Sequence, residues 1–116
     1  MEEKFQVLED LNVWIKCREF KNELIKIARS LPAEEKYRLT DQLIRASRSV
    51  TKNIAEGYGR FHYQENIQYL RQSRSSLYEC MDHMYCMLDE GYLKEEKFKY
   101  LKNNSAICLK LLNGYI

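Results

Sequence analysis

Apolar side chains recur along this chain at alternating steps of three and four residues, the spacing that lines one face of an α-helix. Val13, Cys17, Phe20, Leu24, Ile27 and Leu31 make the first such stripe. Asn12 stands before it as a candidate N-cap, and Ser30-Leu31-Pro32 ends it, because the residue before a proline is pushed out of the helical region. A second stripe, Leu39, Leu43, Ala46, Val50 and Ile54, opens on Thr40-Asp41 as cap and first-turn acid and stops at Gly57. The third is the longest: Ile67, Leu70, Leu77, Met81, Met84 and Leu88 predict a helix from near His62 to about Glu90, ended by Gly91. Ser73 and Ser76 interrupt its large apolar positions with small side chains, which lets a neighbouring backbone come close. Phe98, Leu101, Ser105, Cys108, Leu112 and Tyr115 set out the fourth. No alternating β-branched run lies between turn signals, so strands find no support.

Four helices, near residues 11–30, 40–56, 62–90 and 94–115, joined by short connections pack most simply as an antiparallel up-down-up-down bundle. The pattern therefore predicts an all-α fold in one domain spanning residues 1–116, a length with no room for a second core. Nine tyrosines are more than such a core can hide, and tyrosine suits partner interfaces because it joins apolar area to a polar tip, so self-association is expected. The start, Met1-Glu2-Glu3-Lys4-Phe5, has no basic stretch followed by an apolar one, and nothing approaches the ~18 apolar residues of a membrane span. A cytoplasmic protein without membrane partners is the expectation.

Charge changes the picture more by its placement than by its total of +2. Between Lys36 and Arg74 stand eight basic residues and three acidic ones, so this segment carries +5 and the rest of the chain −3. Arg38, Arg45, Arg48 and Lys52 fall within an arc of about 80° on a helix that turns about 100° per residue, apart from the apolar arc. With Arg60 they are the candidate nucleic-acid contacts, able to neutralise successive phosphates without reading sequence. The same arc also fits a solvated helix face, or arginines that meet acids across an oligomer interface.

Candidate chemistry is sparse. Asn53, Glu56 and Gly57 precede Tyr58-Gly59-Arg60, but the glycines follow a helix and no lysine succeeds them, so the run is no P-loop; it reads as a polar network fixing how the third helix leaves the second. Cys80, His83 and Cys86, at three-residue steps, spread too far around one helix for a structural zinc site; Cys80 is expected in the core and His83 on the surface. The four cysteines form no CxxC pair and read as reduced thiols in helical positions. His62 and His83 are the only imidazole bases, and neither has the nucleophile and orienting carboxylate of a catalytic set. No catalytic residue, metal ligand or cofactor is expected.

The run Leu39-Thr40-Asp41-Gln42-Leu43-Ile44-Arg45-Ala46-Ser47, continued by Asn53-Ile54-Ala55-Glu56-Gly57-Tyr58-Gly59-Arg60, resembles the four-helix-bundle proteins encoded in intervening sequences of bacterial 23S rRNA genes, often labelled S23 ribosomal proteins. The likeness extends to Leu11-Asn12-Val13-Trp14, Leu31-Pro32, Tyr69-Leu70-Arg71, Ser76-Leu77 and Gly91-Tyr92-Leu93, and so covers nearly the whole chain. It implies a homopentameric barrel in a family without established catalysis. A related branch serves as accessory protein to the reverse transcriptases of diversity-generating retroelements, so the resemblance implies RNA or DNA, or an enzyme that handles them, as a partner. This chain departs from the family pattern at Thr51, where proline is common, at Arg48 and Lys52, where small or apolar residues are usual, and at His62, where a serine usually opens the third helix and leaves Glu65 alone of the expected capping box.

Overall fold

Each of the four apolar stripes is a helix in the computed structural model, which describes residues 8–60 and 63–116. α1 spans Asn12–Arg29, α2 Leu39–Tyr58, α3 Tyr63–Asp89 and α4 Glu95–Tyr115, with short 3-10 turns at Leu8–Asp10 and Ala33–Glu35 and no strand among the described residues. Consecutive helices pack side by side, and α1 also packs on α4, so the four close around one core in an up-down-up-down bundle. Cys17, Leu24, Leu43, Ile54, Leu77 and Leu101 lie at its centre, fully enclosed. The bundle measures 56 × 26 × 20 Å, its length set by the 27-residue α3, which rises about 40 Å at 1.5 Å per residue.

The helix ends differ from the capping scheme expected of them. Leu11, itself buried, holds the N-cap position of α1; Asn12 is the first helical residue, and no side chain caps that end. Burial of the leucine anchors the chain where a polar cap was expected. Arg38 stands at the N-cap of α2, and Thr40 lies inside its first turn. The Thr40 hydroxyl instead donates to the Ala28 carbonyl at 3.1 Å, beside the Leu31 amide that bonds the same oxygen, and ties the two helices together. At the end of α3, Gly91 takes φ +78°, and the Tyr92 and Gly91 amides bond back to Met87 and Leu88. That pair is a Schellman motif, which needs a left-handed residue where glycine stands. The reading of His62 as the opening of α3 lies outside the described residues.

α2 and α3 make the most extensive contact of the bundle. Ser49, Asn53 and Gly57 follow one another at four-residue steps along α2, where Ser49 meets Ser76 of α3 and Gly57 meets Asn66 and Tyr69. The fully buried Ser73 donates to the Val50 carbonyl at 2.6 Å, and the Ser49 and Ser76 hydroxyls meet at 2.8 Å. Asn53 donates to the Ser49 carbonyl and hydroxyl at 2.9 and 3.0 Å. Gly57 does not stop the helix as the sequence suggested; α2 runs on through Tyr58 and is capped at Gly59. A Cβ on Gly57 would sit 2.8 Å from the Tyr69 Cβ and 3.0 Å from the Asn66 carbonyl, so glycine is required here by the closeness of α3.

This packing makes two outcomes testable. Alanine ordinarily strengthens a helix interior relative to glycine by about 1 kcal/mol, but at Gly57 overpacking should outweigh that gain and Gly57→Ala should destabilise by about 1–3 kcal/mol. Gly59 has a right-handed backbone, and a methyl added there would meet no atom nearer than 3.6 Å, so Gly59→Ala should be neutral or mildly stabilising. Urea unfolding followed by circular dichroism distinguishes the pair. The second concerns the loop end where Tyr92, after α3, donates to Glu35, before α2, at 2.8 Å. Its hydrogen bond to the Glu35 carboxylate pushes the phenol up to about 12, so the contact's contribution is whole below the ordinary value of 10 and is lost as pH rises from there toward 12. Phenolate absorbance should show one tyrosine titrating late, and Glu35→Gln should bring it back among the others.

Candidate nucleic-acid interface

The face of α2 opposite its buried side is where the basic arc emerges. Arg38, Arg45, Arg48 and Lys52 are all exposed, as the helical spacing requires. Their electrostatic states differ. Arg45 is paired with Asp41 one turn earlier at 3.3 Å, yet its side chain is 80% exposed, so the pair is screened and contributes little. The side chains of Arg48 and Lys52 have no ion-pair or hydrogen-bond partner among the described residues. Together with Arg45 they form the accessible positive centre of the stripe.

Arg60, beyond the end of α2, is held elsewhere. It donates to Glu56 at 3.4 Å and to the Tyr69 hydroxyl at 2.7 Å, and its guanidinium lies 4.8 Å from the centre of the Tyr69 ring. Arg60 and Glu56 thus clamp the start of α3 to the end of α2, while Asn53 and Gly57 shape the close contact between those helices. Of the three residues of the expected network, Glu56, through Arg60, and Gly57 both meet α3 at Tyr69, whereas Asn53 is bonded one turn back to Ser49. Both acid–base pairs of this face, Asp41–Arg45 and Glu56–Arg60, stand four residues apart. That spacing was a readable signal that part of the basic arc is internally neutralised.

Polar groups flank the stripe on α3. Arg60, Glu65, Gln68, Tyr69 and Gln72 line one shallow depression, and Arg71 lines another with Gln64, Gln68 and Gln72. Arg74 is turned away, donating to Asn113 of α4 at 2.8 Å. Before α2, Tyr37 is 84% exposed with the Lys36 ammonium 5.3 Å from its ring centre. Composition alone could count the tyrosines but not pick out this one, at the head of the stripe beside Arg38.

The Cys80, His83 and Cys86 triplet is dispersed. Cys80 is in the core as expected and Cys86 is half-buried. His83 is not on the surface: it is only 7% exposed, with Nε2 3.1 Å from Glu79. It lies one heptad after Ser76, on the ridge of α3 that faces α2, and burial of that ridge carries the histidine inward. Among the described residues no group of three or more His, Cys, Asp or Glu side chains could hold a metal ion, and no helix is long and apolar enough to cross a membrane.

No curated protein matches the chain. Among solved structures, it is similar to a protein of unknown function from the S23 ribosomal protein family of Bacteroides thetaiotaomicron, with a TM-score of 0.81 and 22% identity over 88% of this chain and 92% of that one. At that identity the likeness concerns the fold: the two share one bundle. The family profile described as 23S rRNA-intervening sequence protein matches residues 9–114. Spanning nearly every helical residue described above, that match shows that the chain belongs to the 23S rRNA-intervening sequence protein family.

Proposed function

We propose that this protein is a non-catalytic, self-associating bundle that holds the backbone of RNA or DNA on the outer face of α2. The observation that carries the reading is the exposure of Arg48 and Lys52 without acidic partners among the described residues, one helical turn apart and next to the loosely paired Arg45. Phosphates compete well for a guanidinium whose existing ion pair is screened, so Arg45 joins the site when a polyanion arrives. Arg38 extends the stripe toward Tyr37, whose exposed ring offers a face on which a base can stack. Arg60 supports the site by fixing α3 against α2.

One protomer supplies too few cations for firm binding at physiological salt, because each phosphate contact is modest and screened. Self-association answers this: in a ring of five copies, as the family resemblance implies, one strand meets several stripes and later contacts become effectively intramolecular. A second reading is favoured by a different surface. Tyr78, Tyr85, Tyr100, Ile107 and Tyr115 of α3 and α4 are exposed, and such a surface suits a protein partner, for example a reverse transcriptase or another enzyme acting on nucleic acid, with the bundle as scaffold.

The two readings separate in a binding titration. Wild-type protein should bind a mixed-sequence single strand with an affinity that falls by nearly one log unit per log unit of salt for each phosphate neutralised. Arg48→Glu with Lys52→Glu should abolish binding, while Arg45→Glu alone should weaken it less, and circular dichroism and light scattering should find fold and assembly unchanged. Undiminished binding by the double variant would remove the stripe as the site. Dissociation into monomers would reassign these residues to the interface between copies.

A further inference from the structure

We propose that Cys108 is a redox-modification site: a small hydroperoxide entering the cleft between α1 and α4 oxidises it, and Cys17 resolves the product into a disulfide joining the first helix to the last. The register of the two helices brings these residues level. Glu23 of α1 accepts hydrogen bonds from Tyr100 and Asn104 of α4 at 3.2 and 3.5 Å and pairs with Lys97 at 3.6 Å. Stepping six residues back along α1 and six forward along α4 from the midpoint of the Tyr100 and Asn104 contacts reaches Cys17 and Cys108. Both are enclosed in the core, and each thiol is close enough to shift the titration of the other. Facing positions on helices packed about 8–10 Å apart bring side chains into the range that a disulfide spans.

Access is provided on one side only of this pair. A cleft lined by Lys16, Glu19, Phe20, Tyr100, Asn104 and Ile107 has Cys108 in its wall, whereas Cys17 does not line it. The thiol pair is polarised in the same sense. The interaction between the two thiols lowers Cys108 and raises Cys17, and the Lys16 ammonium favours the Cys108 thiolate further, against the opposing effects of burial and Glu19. The other thiols are poorly placed. Burial pushes Cys80 up to about 12, and burial with Asp82, Asp89 and Glu90 raises Cys86.

The reaction balances with hydrogen peroxide as oxidant. The Cys108 thiolate attacks one peroxide oxygen, the O–O bond breaks, and the departing hydroxide takes up the thiol proton as water, leaving a sulfenic acid. The Cys17 sulfur then attacks the Cys108 sulfur, the S–O bond breaks, and hydroxide leaves with the Cys17 proton as a second water. Two thiols are oxidised and one peroxide is reduced. The new bond encloses most of the chain in a covalent loop, so it restricts the unfolded ensemble strongly.

The test uses the intact folded protein, treated with hydrogen peroxide, quenched with catalase, then unfolded and alkylated. Two of the four thiols should escape alkylation, the mass should fall by two hydrogens, and peptide mapping should link Cys17 to Cys108. The oxidised protein should melt at a higher temperature than the reduced. Cys17→Ser should halt the reaction at a Cys108 sulfenic acid captured by dimedone, and Cys108→Ser should give neither product. Alkylation of all four thiols after peroxide, or a linkage that uses Cys80 or Cys86, would overturn the proposal. The mapping is made on wild-type protein, so it decides even if a serine variant fails to fold.

Discussion

The close approach of α3 to α2 is the constraint on which the rest of this bundle depends. A serine hydroxyl from one helix reaches a backbone carbonyl of the other, Ser73 to Val50, only when no large side chain keeps the two apart. The same requirement explains glycine at position 57 and serines at 49 and 76. A seam of small polar groups is costly unless each finds a partner, since an unpaired buried donor or acceptor loses its water without compensation. Here Ser49, Asn53, Ser73 and Ser76 satisfy one another or the backbone. The result fixes the rotation of α2 about its own axis, and with it which residues point away from the bundle. The basic stripe runs beside this seam, on the side of α2 turned away from the core.

The number, kind and approximate limits of the helices were legible in the sequence because each rests on a periodicity repeated over many residues. Gly91 was legible too, since a left-handed helix end is a local demand that glycine alone meets easily. What failed to show were features decided by the neighbouring helix. Asn12 and Thr40 are good caps by type, but burial of Leu11 and the nearby Ala28 carbonyl determine what those ends do. Gly57 looks like a terminator in one dimension and proves to be a contact surface in three. His83 follows the same rule: its polarity predicts exposure, whereas its place on the ridge that carries Ser76 determines burial. For the candidate interface, exposure of Arg38, Arg45, Arg48 and Lys52 followed from the helical wheel. Their unequal availability depended on Asp41, which pairs loosely with Arg45 at i,i+4 spacing, while Glu56 at the same spacing holds Arg60 beyond the helix and leaves Arg48 and Lys52 open.

This division of labour bears on how the surface works. Exposed ion pairs such as Asp41–Arg45 contribute little to stability, so their charges remain available to a partner. Arg60 is different, because it bonds a carboxylate and a phenol hydroxyl and also covers the ring of Tyr69. Moving it would cost several contacts at once. A stripe with a fixed end and a loosely held middle can therefore change partners at Arg45, Arg48 and Lys52 without disturbing the seam beneath.

The thiol pair lies across the bundle from that stripe. Cys17 and Cys108 join α1 to α4, and α4 is diagonal to α2, without an extensive direct contact. Forming a bond there changes neither the charge of the α2 face nor the α2–α3 seam that orients it, so within one chain oxidation and polyanion binding are expected to be independent. Coupling between them requires that the outer surface of α4 or α1 take part in association between copies, because avidity for a long strand depends on how many stripes are held together. Tyr100 and Ile107, exposed on α4 and lining the cleft that leads to Cys108, are the residues through which such a contact would also close the peroxide's way in. Assembly through that face would protect the thiols, and assembly through another would leave them open. The rate of Cys108 oxidation as protein concentration rises thus reports which side of the bundle faces its neighbour: slowing with concentration identifies the α1–α4 face, and a constant rate in an assembled protein excludes it.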